Sequence, residues 1–280
     1  MNEPEEKQVD TPLISIVIPV HNAARVLSET VDSVRRQSFT DWELILVNDH
    51  STDDSLSLSK KLATEELTER EIYGGADSAG LAAGEGGRIR VIDNTGVGGA
   101  ANARNLGVSE ARGRYLAFLD ADDLWLPDKL SKQLTFLREK NAAFTFTGYE
   151  FADENGKGLG KIVRVPETIT YKQALKNTTI FTSTVLFDLN KLSKEEIRMP
   201  AVESEDTTCW WRILRSGVTA YGLNESLTLY RRSAGTLSSS KTTAIRRIWN
   251  LYRREERLPF FYSTLCFVCW AFRAVKRRLG

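Results

Sequence analysis

Leu13-Ile14-Ser15-Ile16-Val17-Ile18-Pro19-Val20 is the first apolar run of the chain, and how it is read decides the fold. It is short, rich in β-branched residues and bounded by Pro12 and His21-Asn22, which suits a strand buried on both faces of a parallel sheet. From Ala23 to Gln37 the positions Val26, Leu27, Thr30, Val31 and Val34 recur at helical spacing, and Trp42 to Val47 (WELILV) forms a second buried strand. These three segments make a β-α-β unit. Working outward, a third strand is expected at Arg88 to Ile92, a helix at Gly99 to Ala111 and a fourth strand at Tyr115 to Leu119. This alternation predicts an α/β protein with a mostly parallel, Rossmann-like doubly wound sheet, whose ligands sit at the carboxyl ends of the strands.

Thr64 to Gly87 carries six glycines and reads as a flexible surface excursion. Beyond the fourth strand, a helix is expected at Pro127 to Lys140 and a strand at Ala143 to Tyr149 (AFTFTGY). Asp153 to Leu229 is more irregular, with strand candidates at Lys161 to Val165 and Thr184 to Phe187 and a helix around Asp206 to Arg215. We expect this half to pack on the same sheet without a core of its own. Ile245 to Gly280 reads as a basic helix that contains the uncharged run LPFFYSTLCFVCWAF from Leu258 to Phe272.

The 280 residues are 41% hydrophobic and 27% charged, the composition of an ordinary globular enzyme. The net charge of +1 hides an asymmetry, because Lys241 to Gly280 holds ten Lys or Arg against Glu255 and Glu256. That segment alone carries +8, so the remainder is mildly acidic. The pattern points away from nucleic acid and toward an anionic membrane surface touched by residues 245–280. Fifteen uncharged residues fall short of the roughly 20 a membrane span needs, so an interfacial helix and a helix packed on the main domain are the two readings of this tail. Cys209, Cys266 and Cys269 are too few for a disulfide framework. The N-terminal MNEPEEKQVD has no apolar run, so the expected location is cytoplasmic, peripheral at the inner face of the membrane.

Four polar clusters fall at expected strand ends or helix starts. Val47 to Asp53 (VNDHSTD) closes the second strand; Ser51, Thr52 and Asp53 suit a helix cap, which leaves Asp49 unexplained. A carboxylate there can accept from the imide N–H of uracil, with the turn Pro19, Val20, His21, Asn22 covering the base; His21 either stacks on it or serves as a local hydrogen-bonder. Asp120-Ala121-Asp122-Asp123 follows the apolar YLAFL. Three carboxylates within four residues repel one another unless a hard cation intervenes, and Mn²⁺ or Mg²⁺ on Asp122 and Asp123 would share its shell with a diphosphate. Glu203-Ser204-Glu205-Asp206 alone would suit a helix dipole, but a metal-diphosphate site needs a separate base, and Asp206 is the candidate. Arg104 and Tyr230-Arg231-Arg232 offer guanidinium groups for phosphate.

Taken together, SIVIPVHN, ELILVNDHSTDDS, ANARNLGVSEARGRYLAFLDADDLWLP, ESEDTTCWWRIL and LYRRSAGTLS resemble the family 2 glycosyltransferases and their GT-A fold, from about Ile14 to Ser238. The resemblance implies an inverting transfer from a nucleotide sugar, usually a UDP-sugar, with Asp49 on the uracil, Asp120 near the ribose and Arg104 at the donor. It further implies Asp122 as metal ligand of a D-x-D motif, Asp206 as base, and a glycan or lipid-linked glycan acceptor in cell-surface polysaccharide synthesis. In domain terms, 13–238 is the transferase, with 13–125 toward the nucleotide and 126–238 toward the acceptor, and 239–280 is the tail. Three departures stand out: Asn48 replaces a first Asp, Ser233 stands where a His often follows Tyr-Arg-x, and Thr95 to Asn102 is glycine-rich. That last stretch also admits a rival, since Gly96-Val97-Gly98-Gly99-Ala100-Ala101 matches the G-x-G-x-x-A of dinucleotide-dependent oxidoreductases, although the fingerprint belongs after a first strand. A non-catalytic nucleotide-sugar-binding protein of the same fold is the other alternative.

Overall fold

The computed structural model describes residues 11–73, 87–232 and 241–279. The N-terminal residues 1–10, the glycine-rich 74–86 and Ser233 to Ser238 lie outside the described residues, as do the side chains of Lys276, Arg277 and Arg278.

Strand β1 (Ile14–Val20) leads into helix α1 (Leu27–Arg35), then β2 (Trp42–Asn48), α2 (Ser55–Tyr73), β3 (Ile89–Asp93), α3 (Ala100–Glu110) and β4 (Tyr115–Phe118). The chain continues through β5 (Leu124–Trp125), α4 (Lys129–Glu139), β6 (Phe144–Ala152), β7 (Gly158–Val163), β8 (Thr168–Ile169), α5 (Tyr171–Ala174) and β9 (Leu186–Asp188). It ends with α6 (Lys194–Ile197), α7 (Glu205–Arg215), β10 (Ala220–Arg231), α8 (Lys241–Asn250) and α9 (Phe260–Leu279). The strands form one sheet in the order β3-β2-β1-β4-β9-β6-β10-β5, with β7 beside β6 and β8 beside β10. Strands β1 to β4 run parallel, β9 is inserted antiparallel, and β6 and β10 resume the original direction.

Alternation along β1 and β2 splits the core between the two faces. Ile14, Ile16, Ile18, Leu44 and Leu46 pack with residues of α1 and α4, such as Val31 and Leu134. On the other face Val17, Ile45 and Val47 join a cluster with Trp210 and Trp211 of α7 and, from the tail, Ile248, Tyr252 and Cys266. Helix α3 lies directly against β1 at Gly107, where a Cβ would stand 2.3 Å from Val17 Cγ1. Only glycine permits that approach.

Two expectations need correction. The surface excursion begins later than Thr64, because α2 continues to Tyr73; TEELTEREIY is made largely of strong helix formers, and buried Glu66 binds Arg88 at 2.6 Å. The strand β10 was not expected at all. Its centre carries Asn224, Glu225 and Ser226, and the ladder to β6 shifts register on both sides of Ser226, so no regular apolar pattern marks it.

Candidate active site

Polar residues gather at the carboxyl ends of β1, β2, β4, β6 and β10 because the buried strands end there and the chain must leave the sheet. The first group joins the ends of β1 and β2. Asn22 adopts a left-handed φ of 49° and its side-chain oxygen accepts from the backbone N–H of Thr52 at 2.8 Å. Asn22 therefore pins two loops together, and His21 supports it through Nδ1, 2.6 Å from the Asp49 carbonyl. Pro19 lies in β1 opposite Val47. Asp49 is buried, with Oδ1 accepting from the Asn94 amide at 2.9 Å and Oδ2 from the Gly99 N–H at 2.8 Å. Each oxygen keeps a second lone pair for a base N–H.

The glycine-rich run thus starts α3 and follows β3, at the edge of the sheet. Its Gly99 N–H is committed to Asp49, and Asn48, in the place of the first Asp, donates to Asp93 at 2.7 Å. A dinucleotide fingerprint would follow the first strand instead.

The acidic group after β4 separates three carboxylates that the sequence presents alike. Asp120 Oδ1 receives Arg104 at 2.6 Å, and the same guanidinium donates to Glu205 at 2.9 Å. Arg104 is buried; burial opposes its charge, yet Asp120, followed by Glu205 and Asp206, raises its pKa. Arg104 therefore joins α3 to the end of β4 through Asp120 and to the start of α7 through Glu205, an arrangement that positions Asp120.

Asp122 receives no hydrogen bond or ion pair from another residue among the described residues, and its pKa is pushed up to about 6 by burial and then by Asp120. Asp123 is 0% exposed, with Oδ2 accepting from the Ser183 hydroxyl at 2.5 Å and Oδ1 from the Arg231 N–H at 3.2 Å. Burial, then Asp120 and Asp122, hold it well above the ordinary carboxylate range. Of the two carboxylates expected as metal ligands, Asp123 faces inward with both oxygens engaged, and Asp122 has no such partner among the described residues.

Arg231 was expected at the diphosphate. Its side chain is 2% exposed and pairs with Glu29 of α1 at 2.8 Å, so it ties β10 to α1. Asp206, in the first turn of α7, is half-buried; its Oδ1 accepts from the Thr207 N–H at 2.6 Å and its Oδ2 from the Thr182 hydroxyl at 3.1 Å. The turn Thr182–Thr184, which touches both β4 and β6 ahead of β9, is a second element that sequence reading missed. Thr182 holds Asp206, while Ser183 accepts from the Asp120 N–H at 3.0 Å and donates to Asp123. Nothing in the run TTIFTSTV sets these hydroxyls apart from surface serines and threonines.

Solved structures share this architecture. The chain superimposes on Staphylococcus aureus TarS 1-349 in complex with UDP-GlcNAc with a TM-score of 0.62 at 17% identity, over 92% of this chain and 71% of that one; it spans 43% of a longer TarS chain. It matches the mannosyltransferase PcManGT of Pyrobaculum calidifontis, in complex with GDP-Man and Mn²⁺, with a TM-score of 0.60 at 18% identity, over 93% and 69% of the two chains. The fold is that of the GT-A glycosyltransferases. The model of glycosyl transferase family 2 matches residues 15–191, and this chain belongs to that family. It is 40% identical to the putative teichuronic acid biosynthesis glycosyltransferase TuaG of Bacillus subtilis, over 96% of this chain and 98% of the relative. It is also 32% identical to the Escherichia coli UDP-Glc:alpha-D-GlcNAc-diphosphoundecaprenol beta-1,3-glucosyltransferase WfgD, over 87% and 86% of the two chains.

Proposed function

We propose that this glycosyltransferase moves a sugar from a UDP-sugar onto a lipid-linked or growing oligosaccharide of a cell-surface polysaccharide, by a single displacement that inverts the anomeric carbon. One observation carries the reading: Asp122, without a hydrogen-bond or ion-pair partner among the described residues, and Asp206, held by Thr182, are joined to one frame through Ser183 and Arg104. The donor and acceptor named for WfgD and the teichuronic acid assembly named for TuaG support the substrate classes.

Among the described residues no group of three or more His, Cys, Asp or Glu could hold a metal ion by itself, but a half-buried carboxylate with no hydrogen-bond or ion-pair partner there has unmet demand for positive charge, which a hard divalent cation shared with the diphosphate would meet. Asp122 would hold Mn²⁺ or Mg²⁺, with Asp120 as its neighbour. The chemistry such a cation would supply there is neutralisation of the charge developing on the departing diphosphate. Asp49 receives the base N–H, under the turn built by Pro19, His21 and Asn22. Asp206 accepts the proton of the acceptor hydroxyl as its oxygen bonds to the anomeric carbon, and the carbon–phosphate-oxygen bond breaks with its electron pair leaving on UDP. Residues 13–125 thus serve the nucleotide and 126–238 the acceptor. The test is a screen of UDP-sugars with Mn²⁺: UDP should raise the melting temperature in the presence of the cation, and one UDP-sugar should be consumed. No response to UDP and Mn²⁺, with a response to NAD, would overturn the reading.

The tail completes the proposal. Among the described residues no helix is long and apolar enough to cross a membrane. Helix α9 packs one face on the domain, with Cys266 buried and Trp270 donating to Thr178 at 2.9 Å. On its other face Phe261, Leu265, Val268 and Phe272 recur at helical spacing and are 87%, 52%, 59% and 73% exposed. Arg253, Arg254, Arg257 and Arg273 are also exposed, and this pairing of an apolar stripe with cations suits an anionic bilayer. Changing the four stripe residues to Gln should cut co-sedimentation with phosphatidylglycerol-containing liposomes at least tenfold; unchanged binding would remove the membrane from the proposal.

A further inference from the structure

Four aromatic rings stand beside the acidic site and take no part in the mechanism above. Tyr149 and Phe151 of β6 are two residues apart and face the same side of the sheet; Tyr230 of β10 pairs with Phe151, and Phe181 comes from the loop before the Thr182–Thr184 turn. The rings form one cluster. Tyr149 lies 5.1 Å from Phe181 and 6.0 Å from Tyr230 between centroids, Phe181 lies 4.6 Å from Tyr230, and Phe151 lies 5.6 Å from both tyrosines. All four are half-buried, unlike Phe118, Phe144 and Phe187 of the same sheet, which are sealed in the core.

The ladder fixes the height of this cluster. Ala117 of β4 and Thr145 of β6 both pair with Leu186 of β9, so Asp120, just past the end of β4, and Tyr149 stand at nearly the same level along the sheet. Two strand spacings, about 10 Å, separate β4 from β6. Two of the rings are also chain neighbours of the site's anchors: Phe181 precedes Thr182, which holds Asp206, and Tyr230 precedes Arg231, whose N–H holds Asp123.

We infer that this cluster is the wall of the acceptor site, against which a pyranose ring of the acceptor stacks with its hydroxyl directed to Asp206. The inference rests on the proposed transfer and adds the surface that recognises the acceptor. The C–H bonds of a sugar face carry partial positive charge and meet the negative face of an aromatic ring, while the sugar's hydroxyls remain free at its edge. Arg232 lies over Phe151, 5.3 Å from its ring centroid, so Phe151 buttresses the cluster, and the rings of Phe181, Tyr149 and Tyr230, half-buried and packed against one another, would meet the sugar in a fixed orientation.

The test uses the full chain with methyl β-glycosides of glucose and N-acetylglucosamine as probes, followed by saturation-transfer NMR. The wild type should transfer saturation mainly to ring C–H protons and shift them upfield. Phe181→Leu and Tyr230→Leu keep apolar volume and remove the π face, and each should weaken glycoside binding at least tenfold. In transfer assays the same variants should raise KM for the acceptor at least tenfold while KM for the UDP-sugar stays within twofold. Melting curves identify any variant that fails to fold, and Tyr149→Leu then takes its place. Glycoside binding unchanged in folded variants, or no glycoside binding by the wild type, overturns the inference. Glycoside binding without any UDP-sugar turnover would leave the wall standing and remove the proposed transfer, so the two failures are distinct.

Discussion

Asp206→Asn should lower the rate of sugar transfer by about 10²–10⁴, the usual contribution of a positioned general base, with little change in KM for the donor. The substitution is close to isosteric. An amide oxygen can still accept from the N–H and the hydroxyl of Thr207, and an amide NH₂ can donate to the Thr182 hydroxyl, so the three contacts that hold the side chain survive. Arg104 keeps Asp120 and Glu205, and the frame of the site is unchanged. What disappears is the capacity to take a proton from the attacking oxygen. Transfer within about tenfold of the wild type, in a variant with the same melting temperature, would remove Asp206 from this role and move the search to Glu205 or Glu203.

Asp122→Asn should cost about 10²–10³ in transfer rate, the scale seen when one preorganised electrostatic partner of a developing charge is lost. It should also uncouple the protein from the cation: Mn²⁺ should no longer strengthen UDP binding, nor raise the melting temperature together with UDP. In the absence of cation the variant should melt no lower than the wild type. Among the described residues Asp122 makes no hydrogen bond or ion pair to another residue that Asn would lose, and its ionised form suffers from burial and from Asp120 nearby. A site residue whose removal leaves stability intact and abolishes cation dependence is serving the ligand and not the fold. If Mn²⁺ strengthens UDP binding equally in both proteins, the cation lies elsewhere.

Strands β1 and β2 were legible because each is a short, continuous apolar run, and burial on both faces demands that pattern. Helix α1 was legible from the helical spacing of its apolar residues, α3 from its place between two strands and α4 from the proline at its first turn, each within a few residues, as was α7. Strand β10 was not, since two register shifts break its period and its apolar residues are divided by Asn224 and Glu225. Helix α2 extended into a stretch read as loop, where the chain's glycines outweighed ten helix-forming residues.

For the site, local sequence was enough to place Asp49, Asp120, Asp122 and Asp206 at strand ends or a helix start, because an apolar strand followed at once by carboxylates can only present them where it leaves the sheet. The part each one plays was beyond its reach. Asp122 and Asp123 are neighbours with the same chemistry, and what separates them is Ser183, sixty positions away, and Arg231, 108 away. Arg104 and Arg231 have equal claims on phosphate as free side chains; Asp120 and Glu205 capture the first and Glu29 the second only once the sheet has brought α3, α7, α1 and β10 together. Periodicity and burial act over a few residues and so can be read along the chain. Which charge is satisfied and which is left for a ligand depends on partners distant in sequence, and tertiary packing alone supplies them.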